Sequence, residues 1–246
     1  MCPHKTKCVN YKKNVIFKIF CDSADLKIIK KYSKSSMVKG FTTNPSLMRL
    51  SKAKNYKNYS TILLRASNQK PISFEVFADN FTAMEKQAHI INSWGNNIYV
   101  KIPVINSKGD FSGKVIKKLS GNRIKLNITA VYTVNQVRKI IKNINKRSKI
   151  IISIFAGRMG DAGKDPIPII KESVKLTRKL KNVEILWAST REPYNYLQAK
   201  TCGCSIITMP PSIIEKILSF GKSFNDLSLD TVKKFLKDSK KSNFKI

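Results

Sequence analysis

The sequence predicts a (β/α)8 TIM barrel with an extra C-terminal helix. Eight short β-rich runs alternate strictly with helical stretches, which requires a parallel sheet with helices outside it. The chain has 246 residues, close to the roughly 250 typical of one such barrel. No linker or shift in composition divides it, and eight uninterrupted units favour closure over an open doubly wound sheet. The barrel is expected over residues 15–240, between a tail at 1–14 and a short tail at 241–246.

The elements follow in order. Val15–Cys21 is dominated by β-branched and aromatic residues and reads as a strand. Ala24–Tyr32 reads as a helix, with Asp25 placed to cap it and Asp22 left free. Met37–Phe41 is a strand leading into Thr42-Thr43-Asn44-Pro45, where Asn44 suits a turn, and a helical region runs to Ser67. Ile72–Ala78 is a strand and Thr82–Trp94 a helix; Asn97–Val104 is a strand and Lys114–Leu119 a short helix. Ile124–Ala130 and Val134–Ile144 form the fifth strand and helix, and Lys149–Phe155 and Ile167–Leu180 the sixth. Val183–Ala188 with Pro193–Lys200, and Ser205–Met209 with Ser212–Phe220, complete the eight units. A last amphipathic helix at Leu227–Lys237 is placed to cover the barrel mouth or to dock on a neighbouring subunit.

Composition excludes several classes. No apolar run reaches the roughly 18–20 residues of a membrane helix. Val15–Phe20 is short and broken by Lys18, so it is not a signal-peptide core. These features point to a soluble, cytoplasmic protein. The five cysteines form no even disulfide framework. Cys2, His4 and Cys8 provide three soft ligands, where a structural zinc site wants four at tighter spacing, so the segment reads as a tail. Cys202 and Cys204 read as buried thiols before the eighth strand.

Lysine and arginine total 47 against 15 acidic residues, a net charge of +32. The excess is mostly lysine, is spread along the chain, and accompanies abundant Ile and Asn. Sequence-specific nucleic-acid readers instead cluster arginine with aromatic residues. The charge therefore argues against nucleic acid as the partner, while drawing any polyanion by long-range attraction. A homo-oligomer stays open, opposed by self-repulsion of the same charge.

In a (β/α)8 barrel, polar residues at the C-terminal ends of strands face the active site. This chain places Asp22, Asn44, Glu75, Lys101, Asn127, Thr129 and Ser153 there, followed by Arg158, Ser189 and Arg191. Period-two alternation sets Lys101 opposite Val100 and Ile102, and Asn127 with Thr129 opposite Ile128. A lysine and a glutamate within such apolar strands are costly unless paired or functional. A desolvated lysine amine attacks carbonyls to form a Schiff base, whose iminium is an electron sink for C–C cleavage. Asp22 is the candidate base for that step, and Glu75 with Thr129 the candidates to handle water. Arg158 and Arg191 suit a phosphate, which guanidinium binds through paired hydrogen bonds. With only His4 and His89 as histidines, a multi-imidazole zinc site is not available, so the expected chemistry uses no metal and no cofactor. The motifs of a dinucleotide site and of a phosphate loop are absent from the sequence.

The segments Phe20-Cys-Asp-Ser-Ala-Asp25, Gly40-Phe-Thr-Thr-Asn-Pro-Ser-Leu47, Ser73-Phe-Glu-Val76, Val100-Lys-Ile-Pro103, Asn127-Ile-Thr129, Ser153-Ile-Phe-Ala-Gly-Arg158 and Ala188-Ser-Thr-Arg191 occur in this order. Over about Val15–Phe220 the chain resembles the transaldolase family, particularly its short single-barrel members related to fructose-6-phosphate aldolase. The resemblance implies that Lys101 is the Schiff-base lysine, Asp22 the acid/base, and Glu75 and Thr129 the pair that positions water. It implies that Asn44, Asn127 and Ser153 hold hydroxyls, and that Arg158, Ser189 and Arg191 bind phosphate. The implied reaction moves a dihydroxyacetone unit between sugar phosphates, in carbohydrate metabolism of the pentose phosphate kind. Glu75 and Phe155 resemble transaldolases, where the aldolases tend to have Gln and Tyr. Three alternatives stand beside this reading: an aldolase releasing free dihydroxyacetone, a transaldolase-like enzyme for an unusual sugar, and a polyanion-binding barrel. The segment after Arg158 and the Thr190 of Ser-Thr-Arg191 depart from the family pattern.

Overall fold

The computed structural model describes residues 17–242. The expected N-terminal tail, with Cys2, His4 and Cys8, lies outside the described residues, as do Val15 and Ile16. Eight parallel strands close into one barrel in sequence order: β1 (Lys18–Asp22), β2 (Val38–Thr42), β3 (Ile72–Glu75), β4 (Ile98–Pro103), β5 (Leu126–Val131), β6 (Ile150–Ile154), β7 (Val183–Trp187) and β8 (Ile206–Met209). Closure is made by β1, which pairs with both β2 and β8.

Around the barrel run α1 (Leu26–Ser33), α2 (Pro45–Leu50), α3 (Tyr56–Ala66), α4 (Phe81–Asn92), α5 (Gly113–Gly121) and α6 (Val134–Asn143). They are followed by α7 (Ala156–Asp161), α8 (Ile167–Thr177), α9 (Tyr194–Thr201), α10 (Pro211–Ile217) and α11 (Phe224–Ser242). Local chemistry sets several starts. The Asp25 carboxylate accepts from the backbone N–H groups of Lys27 and Ile28 at 2.7 and 3.0 Å, capping α1. Asn44 caps α2 through Leu47 N–H at 2.9 Å, with Pro45 at the first helical position. Thr133 and Gln136 form a reciprocal capping box on α6.

Three of the differences from the sequence reading have a visible local cause or bear on the barrel mouth. The helical region expected to Ser67 is two helices, α2 and α3, because Asn55 opens a new cap onto Asn58 N–H. The third strand ends at Glu75 rather than Ala78, since Phe77 and Ala78 give their N–H groups to the Gln87 side chain instead of a neighbouring strand. A helix absent from the reading, α7, follows β6 and carries Arg158.

The barrel interior is stratified. Phe20, Tyr99, Ile151, Leu186, Ala188 and Ile206 form a small apolar cluster. Their sequence neighbours Cys21, Val100, Ile152, Ile185, Trp187 and Ile207 belong to the main core, as period-two alternation requires. Gly40 leaves room for the Phe20 ring, since a Cβ there would lie 2.6 Å from Phe20 Cζ. Two residues beyond the apolar layer on several strands, the inward positions become polar. Asp22, Lys101, Ser153 and Thr208 are such positions, and they floor a cavity.

The C-terminal helix is longer than expected and reaches Ser242, into the segment read as a tail. It has no buried residue, and Phe224, Leu227, Leu229, Val232, Phe235 and Leu236 are exposed. It contributes nothing to the wall of the cavity, so the expectation that it covers the barrel mouth is not met. Among the described residues no helix is long and apolar enough to cross a membrane. Cys202 and Cys204 are buried free thiols, as expected.

Candidate active site

A cavity of about 230 Å³ opens at the C-terminal ends of the strands. Every residue singled out from the sequence lines it except Glu75, which touches Lys101 from the side. The sheet register explains the convergence. Glu75 is paired with Lys101 across β3 and β4, and Lys101 with Asn127 across β4 and β5.

Lys101 is 6% exposed. Its Nζ lies 3.0 Å from Glu75 Oε2 and donates to the Thr43 carbonyl at 2.9 Å. The buried lysine thus has a charge partner and also lines the cavity, so the pairing does not shut it off from a ligand. Thr43 is itself held in place, its hydroxyl donating to the Ser73 carbonyl at 2.7 Å.

On the next strands, Ser153 Oγ donates to Asn127 Oδ1 at 2.6 Å, and Asn127 Nδ2 donates to Ser73 Oγ at 3.1 Å. This string fixes the amide with both of its polar atoms engaged. Thr129 is different: its Oγ1 is buried and has no hydrogen-bond partner among the described residues. An unpartnered buried hydroxyl costs about 1–3 kcal/mol, which suits a group kept for a ligand or water better than a plain β-former.

Asp22 ends β1, and Thr42 Oγ1 donates to its Oδ1 at 2.6 Å. Desolvation by the barrel wall raises the Asp22 pKa above the ordinary carboxylate range. Lys101 and the Thr42 hydrogen bond work against that rise, and the charge of Glu75 adds to it. Burial also pushes the neighbouring Cys21 thiol up, so it is not a nucleophile near neutrality.

The rim carries the arginines. The Arg158 guanidinium stands 5.5 Å from the Phe155 ring centroid. Arg191 forms a two-pronged ion pair with Asp161 on α7, with Nε 3.0 Å from both carboxylate oxygens. That pairing raises the Arg191 pKa and holds the Asp161 carboxyl below its usual range. Ser189 has a positive φ of 64°, and its carbonyl packs so closely on Gly157 that a Cβ there would sit 1.6 Å away. Glycine at 157 is therefore what lets the loops after β6 and β7 meet and bring both arginines to one rim.

The sequence reading overlooked Thr42, Thr190, Thr208 and Pro210, which also line the cavity. Threonine is favoured in strands for packing reasons alone, so neither Thr42 nor Thr208 stood out. The available signal was inward register, two residues beyond Gly40 and Ile206. Among the described residues, no group of three or more His, Cys, Asp or Glu is placed to hold a metal ion.

Comparison with known proteins bears on this arrangement. Residues 19–246 match the model of the family Transaldolase/Fructose-6-phosphate aldolase. The chain belongs to that family. The protein named "Probable transaldolase" from Nitrosopumilus maritimus is 31% identical over 228 residues, spanning 91% of this chain and 95% of that one. A second "Probable transaldolase", from Thermoplasma volcanium, is 32% identical over 227 residues, spanning 91% of this chain and 96% of that one. Among solved structures, thiamine phosphate pyrophosphorylase from Pyrococcus furiosus superposes with a TM-score of 0.51 at 10% identity, over 78% of this chain and 85% of that one. That likeness is one of fold alone. Membership in this family marks the chain as an enzyme of the transaldolase/aldolase type.

Proposed function

We propose that this protein is a Schiff-base transaldolase that transfers a dihydroxyacetone unit from a ketose phosphate to an aldose phosphate. The observation that carries the proposal is a buried Lys101 amine, 3.0 Å from Glu75, opening on the same cavity as Asp22 and two rim arginines. Family membership and the names of the two relatives support the same reading.

The residues divide the work as follows. Lys101 passes its proton to Glu75 and attacks the ketose carbonyl carbon. The carbinolamine so formed loses its oxygen as water, with Glu75 and Thr129 supplying and steering the proton. The resulting iminium draws electrons from the adjacent C–C bond. Asp22, ionised, takes the proton of the hydroxyl on the departing carbon, that bond breaks, and an aldose phosphate leaves. The enamine left on Lys101 then attacks the aldehyde carbon of the acceptor. Asp22 returns its proton to the new hydroxyl, and water releases the product ketose. Asn127, Ser153 and Asn44 hold hydroxyls of the three-carbon unit, while Arg158, Ser189 and Arg191 hold the phosphate.

Phe155 favours transfer over release of free dihydroxyacetone, because a phenyl ring has no hydroxyl with which to guide water onto the bound unit. Fructose 6-phosphate and borohydride should leave a reduced adduct on Lys101, located by peptide mass spectrometry and absent from Lys101→Ala. An aldose phosphate acceptor should discharge the unit faster than water does. No adduct on Lys101 with any ketose phosphate would sink the mechanism; an adduct that yields only free dihydroxyacetone would convert the reading to that of an aldolase.

A further inference from the structure

Three side chains from three adjacent strands meet at the foot of the cavity. Asp22 ends β1 and is register partner to Thr42 at the end of β2, while Thr208 on β8 is register partner to Phe20. Thr42 and Thr208 are 3% and 4% exposed, so their hydroxyls must find partners within the protein. Thr42 Oγ1 lies 2.6 Å from Asp22 Oδ1 and 2.6 Å from Thr208 Oγ1.

The proton count fixes the direction of this chain. A threonine hydroxyl has one proton, and an ionised carboxylate only accepts. Thr42 therefore donates to Asp22, and Thr208 must donate to Thr42. Behind them, Thr190 Oγ1 donates to the Thr208 carbonyl at 2.7 Å, fastening β8 to the loop after β7.

We infer that Thr42 and Thr208 are positioning residues for Asp22: their one-way hydroxyl chain holds Oδ1 and leaves Oδ2 to the reacting hydroxyl. The inference rests on the reading of Asp22 as the proton acceptor. The charged and titratable groups around that carboxylate are Lys101 from β4, Glu75 from β3 and the Cys21 thiol on its own strand. None of them supplies a hydrogen bond to Oδ1; among the described residues, Thr42 does. A hydrogen bond donated to the charged form favours that form. The chain thus favours the ionised form of Asp22 against the burial that opposes it, and when Oδ2 takes the substrate proton the Thr42 bond to Oδ1 weakens without changing sense.

The alternative is that the threonines merely fill the sheet and satisfy one another, which needs no effect on Asp22. The pH dependence of turnover separates the two. Thr42→Val, Thr208→Val and Thr42→Ser are to be assayed with fructose 6-phosphate and erythrose 4-phosphate, alongside Asp22→Asn and borohydride trapping on Lys101. Loss of one hydrogen bond to a charged group is expected to cost Thr42→Val about tenfold or more in kcat. Its acid limb should move to higher pH, because Asp22 loses a bond that favours ionisation. Thr208→Val should show a smaller loss in the same direction, and Thr42→Ser should restore both rate and limb. All three should retain the Lys101 adduct. An unmoved acid limb in Thr42→Val, or no rescue by serine, would overturn the positioning role while leaving the Schiff-base reading intact. Undiminished turnover in Asp22→Asn would instead remove the base itself, and the positioning pair with it.

Discussion

Glu75 and Lys101 face each other across β3 and β4, and their charged ends meet at 3.0 Å inside the sheet. Breaking a buried pair by removing one partner costs more than the pair contributes, because the survivor is left desolvated. The pair also places a carboxylate that can take a proton 3.0 Å from the amine.

Glu75→Gln keeps the shape and a hydrogen bond but removes the base. It should slow adduct formation on Lys101 by about 100-fold, within the usual range for loss of a general acid or base. Quench-flow trapping with borohydride would measure this. An unchanged trapping rate would exclude Glu75 from imine formation.

Arg191 is held by Asp161 through a two-pronged contact from Nε and Nη2, and a planar guanidinium fork is what lysine lacks. Arg191→Lys should therefore raise KM for fructose 6-phosphate by about tenfold and leave turnover of unphosphorylated fructose nearly unchanged. Equal losses on both sugars would place Arg191 outside the phosphate site.

Asp22 supplies a prediction in which stability and activity move apart. Burial raises its pKa in the folded state, so the folded protein binds a proton there more tightly than the unfolded chain. Its contribution is favourable below the unfolded carboxylate pKa and is lost as pH rises through the raised folded value. At neutral pH the ionised Asp22 is a stability cost. Asp22→Asn should raise Tm by roughly 1–3 °C near pH 7, with that gain disappearing in acid, while abolishing transfer. Turnover of the unaltered enzyme should fall as pH drops through a value above the ordinary carboxylate range. A lower Tm for Asp22→Asn at pH 7 would contradict the sign.

Gly157→Ala places a Cβ 1.6 Å from the Ser189 carbonyl oxygen. Backbone has to move, at a cost of about 1–3 kcal/mol, and the loop bearing Arg191 moves with it. Urea denaturation should show the loss, and KM for phosphorylated substrates should rise with it. Full stability would mean that the two loops are not in contact in solution.

Much of this protein can be read along the chain because strands and helices have their own periods. Alternation alone puts Lys101, Asn127 and Thr129 on one face of their strands, and the order of eight units implies the closed sheet. The catalytic-looking carboxylates were visible because charge inside an apolar strand demands an explanation. Thr42 and Thr208 carried no such mark, since a threonine in a strand needs no explanation, and they gain meaning only beside Asp22. The partner of Arg191 was likewise hidden: Asp161 lies on a short helix within what reads as a loop, and its distance from Arg191 along the chain says nothing of their contact.

The sequence by itself determined the barrel, the set of strands and the polar side chains facing its mouth, because these depend on local period, burial and strand order. Tertiary structure decided which side chains share protons, which arginine is already paired, and that, among the described residues, α11 buries none of its apolar side chains. Those outcomes depend on register and loop contact between segments far apart in sequence, and a distance of 3 Å or less across a closed sheet is not encoded in any single stretch of residues.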